Sequence, residues 1–138
     1  MSYKIISKFI KDVSFEIPDV KSFVMLEKEI PNYSLNFDIK SKPHKTNIIE
    51  VDTTLKIIPN EKVKNKVLTE ITGAALVSIE ENFDNKKELE KIILIKIPQE
   101  MYPTLYETFS YLFEKAGIKN LQIEKKVDFE KLYKEKKG

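Results

Sequence analysis

The stretch NYSLNFDIKSKPHKTNIIEVDTTLKIIPNEK, Asn32 to Lys62, decides the fold of this 138-residue chain. Apolar and polar residues alternate in it, which puts one side of each predicted strand in a core and the other in water. One strand covers Asn32 to Lys40 and the next covers residues 46–58. SKPHK joins them and PNEK follows the second, and both links are rich in turn-forming residues. Links this short predict an antiparallel meander.

The same alternation predicts two more strands, one on each side of this stretch. The first spans Tyr3 to Ile17, with its apolar residues at odd positions, and the last spans about Val63 to Ile79. Pro18 to Pro31 separates the first strand from the second and is too long for a hairpin. We therefore expect the chain to cross over here, through a segment without regular periodicity, so that strand one pairs with strand four.

Helical spacing replaces alternation in the second half. Asn85 is a predicted N-cap for KKELEKIILIKI, a helix that Pro98 is expected to end. Pro103 opens a second predicted helix, which ends near Gly117, and a short third helix lies in Asp128 to Lys136. The predicted fold class is α+β: a four-stranded antiparallel sheet with a crossover after strand one, two helices packed on one face and a short C-terminal helix. Surplus apolar residues on both main helices predict self-association.

Composition excludes several kinds of chemistry. The chain has no cysteine and one histidine, His44, which lies in the SKPHK link and is expected to be an exposed bystander. Thiol catalysis and zinc sites that need sulfur are therefore excluded, and no phosphate-binding glycine loop is present. All basic residues are lysines and the net charge is +2, which argues against sequence-specific nucleic-acid binding. We predict no enzyme activity and no cofactor.

Length and hydropathy indicate one domain over residues 1–138, with residues 124–138 partly flexible. The longest apolar run, Ile92 to Ile95, is far shorter than a membrane-spanning helix, and the lysine-interrupted N-terminus does not match a signal peptide. The expected location is the cytoplasm, without direct membrane insertion.

Four strings in this order resemble the SecB family of protein-export chaperones over nearly the whole chain. KDVSFEIPD is similar to the first-strand signature, and LTEITGAALVSI to the fourth strand, where Ala74 replaces the second glycine of a usual pair. IPQEMYPTLYE matches the helix junction, and VDFEKLY matches the start of the last helix.

The resemblance implies a homotetramer, a dimer of dimers, with helices between outward-facing sheets. It implies an ATP-independent chaperone that holds unfolded precursor proteins and delivers them to SecA, the motor of the translocase. Long apolar grooves hold the client, and a basic, zinc-bearing tail of SecA docks on the acidic face of the sheet, so the zinc belongs to the partner.

The docking positions that the resemblance implies are Asp12, Glu16, Leu68 and Glu70. All four are even-numbered and so belong to the predicted wet faces of strands one and four. An exposed leucine among carboxylates suits a lysine-rich peptide with an apolar contact, whereas the simpler alternative is that these are ordinary solvated strand residues.

The client group lies on the crossover and strand two. An unfolded chain needs broad, adaptable apolar surface. This group offers Phe23, Val24, Met25, Leu26, Ile30, Tyr33, Leu35 and Phe37. Plain core packing is the alternative for any single member.

Two departures from the family pattern stand out. Tyr106 occupies the place of the arginine that usually precedes the glutamate corresponding to Glu107, which puts that arginine's subunit contacts in doubt. Glu124 to Gly138 holds six lysines and four acids, so an acidic-tail contact with SecA is not expected.

Two other functions remain open from the sequence. A SecB-like chaperone could serve a single antitoxin of a toxin–antitoxin system, with the same fold and groove. A small-ligand or lipid-binding domain could use the crossover as a lid.

Overall fold

A four-stranded antiparallel sheet forms the centre of the molecule. The computed structural model describes residues 3–80, 85–118 and 126–137. The strands are β1 (Tyr3–Glu16), β2 (Tyr33–Lys45), β3 (Ile48–Pro59) and β4 (Leu68–Ile79), in the spatial order β1-β4-β3-β2. The first strand therefore crosses over to pair with the fourth, and the α+β prediction is confirmed.

The hairpin between β2 and β3 turns later than the sequence suggested. β2 continues through SKPHK, and the turn consists of Thr46 and Asn47, whose φ is +68°. Asparagine is among the residues that best tolerate this left-handed conformation. The prediction of SKPHK as a link was wrong because Pro43 lies on an edge strand, where its missing N–H does not have to serve a ladder.

The link between β3 and β4 is longer than predicted, since β4 begins at Leu68 rather than near Val63. Val63 and Val67 are nevertheless buried. The Val67 N–H donates to the Tyr33 hydroxyl at 3.0 Å, which fastens the link to the start of β2.

The crossover contains a helix, α1 (Val20–Glu29), where we expected irregular chain. Asp19 caps it, accepting hydrogen bonds at 2.8 Å from the Ser22 N–H and 2.7 Å from the Ser22 hydroxyl. Ser22 and Leu26 are buried one turn apart. The contiguous apolar run Phe23 to Leu26 covers more than one side of the helix and so conceals this spacing. A 3-10 turn, Ile30–Asn32, leads into β2.

The two predicted main helices form one continuous helical run. It comprises α2 (Lys86–Lys91), a π-helical turn (Ile92–Lys96) and α3 (Ile97–Lys115). Asn85 caps α2 as predicted, accepting from the Glu88 N–H at 3.1 Å. Pro98 does not end the helix because it lies in the first turn of α3, where proline is tolerated after the wider π turn. Pro103 lies inside α3 and does not open a helix.

The core lies between α3 and the sheet. At Gly73 of β4 the sheet and α3 approach each other closely. A Cβ there would lie 2.5 Å from Met101 Cε and 3.1 Å from Leu105 Cδ2. Contacts below 3.0 Å require a side chain to move, so only glycine fits this packing without adjustment. The face of the sheet toward α3 is called the inner face below, and the opposite one the outer face.

A short helix, α4 (Phe129–Lys137), packs beside the π turn. Phe129 anchors it and is 1% exposed, with its ring 5.0 Å from that of Phe37 and 6.2 Å from that of Tyr102. The beginning of the predicted flexible tail, residues 124–125, lies outside the described residues.

Candidate functional site

Two register shifts decide which β1 residues lie on the outer face. One falls between Ile5 and Ser7 and the other between Ile10 and Asp12, and each adds one β1 residue against β4. Between the two shifts, odd-numbered β1 residues lie on the outer face instead of the inner face. Phe9 therefore lies opposite Ala74 on the outer face, where it is exposed. The expectation that all odd β1 positions share the inner face was wrong for this segment. The second shift restores the parity before Asp12.

The four predicted docking residues come together on the outer face. Glu16 lies directly opposite Leu68, and Glu70 lies opposite Ser14, one row further along the same face. Asp12 lies opposite Thr72 in the next row. All four are exposed, including Leu68 at 51%. We call these four residues the docking patch.

The sequence did not point to two neighbours of this patch on β3. Lys56 lies opposite Glu70, with 3.9 Å between Lys56 Nζ and Glu70 Oε1. Ile58 is 43% exposed and, if the β3–β4 register is continued by one residue, lies beside Leu68. Two successive isoleucines, Ile57 and Ile58, break the alternation of the strand, and this break was the available signal that one of them faces outward.

A polar network crosses the other half of the outer face. Lys11 Nζ donates to Glu50 Oε2 at 2.6 Å and to Asp52 Oδ2 at 2.8 Å, and His44 Nε2 lies 2.7 Å from Glu50 Oε1. Lys11 and His44 are the extra residues at register shifts of β1 and β2. The Lys11 side chain crosses β4 to reach these two carboxylates on β3, and the small side chain of Ala74 leaves room for it. His44 thus lies in β2 and is a partner of Glu50 on β3, whereas we expected an exposed bystander in a turn.

Burial and hydrogen bonding shift the carboxyl groups of this network in opposite directions. Hydrogen bonds from Asp52, Lys11 and His44 lower the pKa of Glu50 to about 2. Burial, together with the hydrogen bond to Glu50, raises the pKa of Asp52. Glu50 is therefore the stronger acid of the pair, and its contacts with Lys11 and His44 fasten both edge strands to the central strand β3.

The structure divides the predicted client group into three sets. Phe23 and Val24 are exposed on α1, Val24 at 62%. Leu26 is 2% exposed and belongs to the core, so plain packing is the correct interpretation for it. The remaining members are partly buried, namely Met25, Ile30, Tyr33, Leu35 and Phe37.

Two members of the group, Leu35 and Phe37, line a groove of about 540 Å³ between β2, the π turn and α4. The rings of Phe37, Tyr102 and Phe129 pack edge-to-face beneath it, with the Phe37 and Tyr102 centroids 5.8 Å apart. The other lining residues are Asn36, Ile39, Glu90, Leu94, Val127, Asp128, Phe129, Lys131, Leu132, Tyr133 and Glu135. A groove of this size and apolar character accommodates several side chains of an extended peptide. The α4 contribution to it was not predicted.

Over residues 3–80, 85–118 and 126–137, no three histidine, cysteine or acidic side chains are placed to hold a metal ion. None of the helices in that part of the chain combines the length and apolar character needed to cross a membrane.

Comparisons with known proteins agree with the resemblance seen in the sequence. The family model described as "Preprotein translocase subunit SecB" matches residues 1–138. A relative from Pelagibacter ubique, provisionally named protein-export protein SecB, is 42% identical over 98% of this chain and 96% of its own length. The protein-export protein SecB of Nitrosomonas eutropha is 32% identical over 93% of this chain and 79% of its own length.

The fold is also found among solved structures. The SecB-like chaperone of Mycobacterium tuberculosis, in complex with a peptide from an antitoxin, superimposes with a TM-score of 0.67 at 15% identity. The match covers 88% of this chain and 86% of that one.

Proposed function

The chain belongs to the SecB family and is a protein-export chaperone, and from this premise we propose how it works. It binds unfolded precursor proteins without ATP in the cytoplasm and delivers them to SecA. It acts as a single-domain protomer of a homotetramer, without enzymatic activity and without binding nucleic acid.

The docking patch is the observation that carries the proposal of SecA as partner. Glu16 and Glu70 flank Leu68 on the exposed outer face, Asp12 lies two rows further along, and Ile58 adds apolar area beside Leu68. Three carboxylates attract a lysine-rich peptide, and the leucine and isoleucine offer it an apolar contact. A single exposed leucine is ordinary on a protein surface, whereas two adjacent aliphatic side chains form a small apolar patch.

The groove supplies the client site in this proposal. Leu35 and Phe37 would contact client side chains, together with the exposed Phe23 and Val24 of α1. These surfaces are broad and separate, which favours weak binding at several points along one unfolded chain.

Self-association is supported by apolar side chains on the edge strand β1. Ile6 and Val13 are 51% and 42% exposed, and α3 covers mainly β4. A second protomer against β1 would bury both residues.

A chaperone dedicated to one antitoxin is the second candidate, because the fold neighbour from Mycobacterium tuberculosis binds an antitoxin peptide. Restored export of several precursors in a chaperone-deficient bacterial strain would favour the general function. The third possibility from the sequence, a small-ligand or lipid-binding domain, gives way to the family membership.

Titration with SecA tests the docking claim. We expect Glu70→Lys to bind about tenfold more weakly than wild type, because one attraction is lost and one repulsion gained at a partly screened surface. Glu27→Lys, the same charge change on exposed α1, is the matched control and should bind as wild type does. Equal affinities for wild type and Glu70→Lys at moderate salt would reject the docking patch.

A further inference from the structure

A short segment of β1 presents its side chains in the reverse of the order that burial favours. Ile6 and Lys11 are the extra residues at the two register shifts that bound this segment. Between them, Lys8 lies opposite Ala75 on the inner face, and Phe9 lies on the outer face. A lysine thus points to the core side of the sheet and a phenylalanine to the water side. Because β-bulges often re-aim a side chain toward a binding site, a partner on the outer face would account for both shifts.

Phe9 gives the outer face a second apolar site. It is 45% exposed, and Leu76, in the next row of β4, is partly exposed on the same face. Diagonal neighbours on adjacent antiparallel strands are about 7–8 Å apart, which is within reach of an aromatic ring. We call Phe9 and Leu76 the Phe9 site.

The Phe9 site continues the docking patch along the same two strands. Ala74 lies opposite Phe9 and is six residues from Leu68 on β4. At about 3.4 Å per residue, roughly 20 Å separates Leu68 from Phe9. Glu70 and Asp12 lie in the rows between them. One strip of the outer face therefore has an apolar site at each end and carboxylates in the middle.

The lysine beside Phe9 does not oppose the binding of a basic segment to this strip. Lys11 Nζ lies 2.6 Å from a Glu50 carboxylate oxygen and 2.8 Å from an Asp52 carboxylate oxygen. Two carboxyl groups thus accompany one ammonium group, so this contact adds no net positive charge to the strip. The charge of the strip is set by the docking-patch carboxylates, which attract positive groups.

We propose that the segment of SecA that docks here carries two large apolar side chains, about six residues apart in an extended chain, with basic residues between them. One apolar side chain contacts Leu68, the other contacts the Phe9 site, and the basic residues pair with carboxylates of the strip. This inference rests on the proposed function and adds Phe9 and Leu76 to the surface that SecA contacts. The spacing gives specificity, because a basic segment with one apolar side chain reaches only one end of the strip.

Titration with full-length SecA tests the role of Phe9. We expect Phe9→Ser to bind about fivefold more weakly than wild type, because a partly exposed aromatic contact is lost. Phe9→Tyr keeps the ring and should restore the affinity to within about twofold of wild type. Tyr111→Ser is the matched control, since it removes an aromatic residue that is 59% exposed on α3, on the other side of the sheet. It should bind SecA as wild type does.

Two labelled basic peptides test the spacing without SecA. Both contain the same lysines and the same pair of phenylalanines, which are about six residues apart in one peptide and adjacent in the other. Binding is followed by fluorescence anisotropy. We expect wild type to prefer the spaced peptide roughly threefold, because only that peptide reaches both ends of the strip. Phe9→Ser should lose this preference, and Tyr111→Ser should retain it.

Light scattering and thermal melting verify the oligomeric mass and the fold of each variant. Wild-type affinity for SecA in Phe9→Ser, or equal binding of the two peptides to wild type, overturns the inference and leaves the docking patch in place. Failure of wild type to bind SecA overturns the proposed partner, and this inference with it. A changed oligomeric mass in Phe9→Ser would show that a second copy of the chain covers Phe9, which also overturns the inference.

Discussion

The docking patch and the client groove lie on opposite faces of one sheet but are built in different ways. The patch comes from adjacent strands whose register alone brings Glu16, Leu68 and Glu70 together. The groove exists only where β2, the π turn and α4 meet, and Leu35 and Phe129 are far apart in sequence. The docking patch should therefore keep its shape when its side chains are changed, whereas the groove depends on the packing of β2, the π turn and α4.

Phe129→Ala should have the largest effect and should act on the groove alone. Removing a fully buried phenylalanine costs about 3–5 kcal/mol, which is enough to detach a short helix. Hydrogen exchange in residues 126–137 should become fast while SecA affinity stays unchanged. Lys131→Ala on the same helix serves as control, and continued protection of α4 in Phe129→Ala would contradict the anchoring role.

Gly73→Ala should destabilise the whole domain, because the new methyl group displaces the ends of the Met101 and Leu105 side chains of α3. We expect about 2 kcal/mol less free energy of unfolding in urea. Ala74→Gly is the neighbouring control on the outer face and should cost about 1 kcal/mol or less. Equal losses would show that the two faces of β4 are not packed differently.

Glu50→Gln should cost about 1.5 kcal/mol at neutral pH, since it weakens charge-assisted hydrogen bonds to both edge strands. The folded-state pKa of Glu50 is held near 2, below its ordinary value of 4.5. Its stabilisation is therefore present above pH 4.5 and is lost as the pH falls from 4.5 toward 2. The raised pKa of Asp52 acts in the opposite direction and makes part of this loss smaller.

Urea unfolding at neutral pH and at several acidic values measures this difference. The free energy of unfolding of wild type should fall more steeply through the acid window than that of Glu50→Gln. Glu70→Gln, an exposed change, should follow wild type. Parallel curves for wild type and Glu50→Gln would contradict the role given to the network.

Leu68→Ser and Ile58→Ser should have the smallest effect on stability, within about 0.5 kcal/mol, because both side chains are half exposed. Each should nevertheless weaken SecA binding several-fold, since about 1 kcal/mol of apolar contact is lost. Isothermal titration with SecA measures this. Unchanged affinity in Ile58→Ser would exclude Ile58 from the SecA contact, and unchanged affinity in Leu68→Ser would contradict the docking patch.

Periodicity was sufficient to predict the sheet, and it placed the four residues that the family resemblance named on one face of that sheet. Alternation identified four strands, and the length of the link after Pro18 required the crossover. We assigned Asp12 to the outer face because its number is even. That assignment is correct only because the two register shifts in β1 cancel before Asp12. Phe9, which lies between them, shows how such shifts mislead a sequence-based assignment.

Packing between distant elements decided what periodicity could not. The π turn lets the helical run continue through Pro98, although proline is ordinarily a stop signal. The place of Phe129 against Phe37 and Tyr102, and hence the groove, depends on contacts that no local pattern encodes. His44 gave no signal either, because its partner Glu50 becomes its neighbour only through the hairpin.

The end of β2 also bears on the solubility of the chaperone itself. A free sheet edge is a template on which extended chains can pile up into amyloid-like aggregates, and the clients of this protein are extended chains. Pro43 interrupts that edge, and the extra residue His44 bends it. The positive charges of Lys40, Lys42 and Lys45 repel further strands of the same kind. The protein thus binds aggregation-prone polypeptides beside a sheet edge that is itself protected against the addition of further strands.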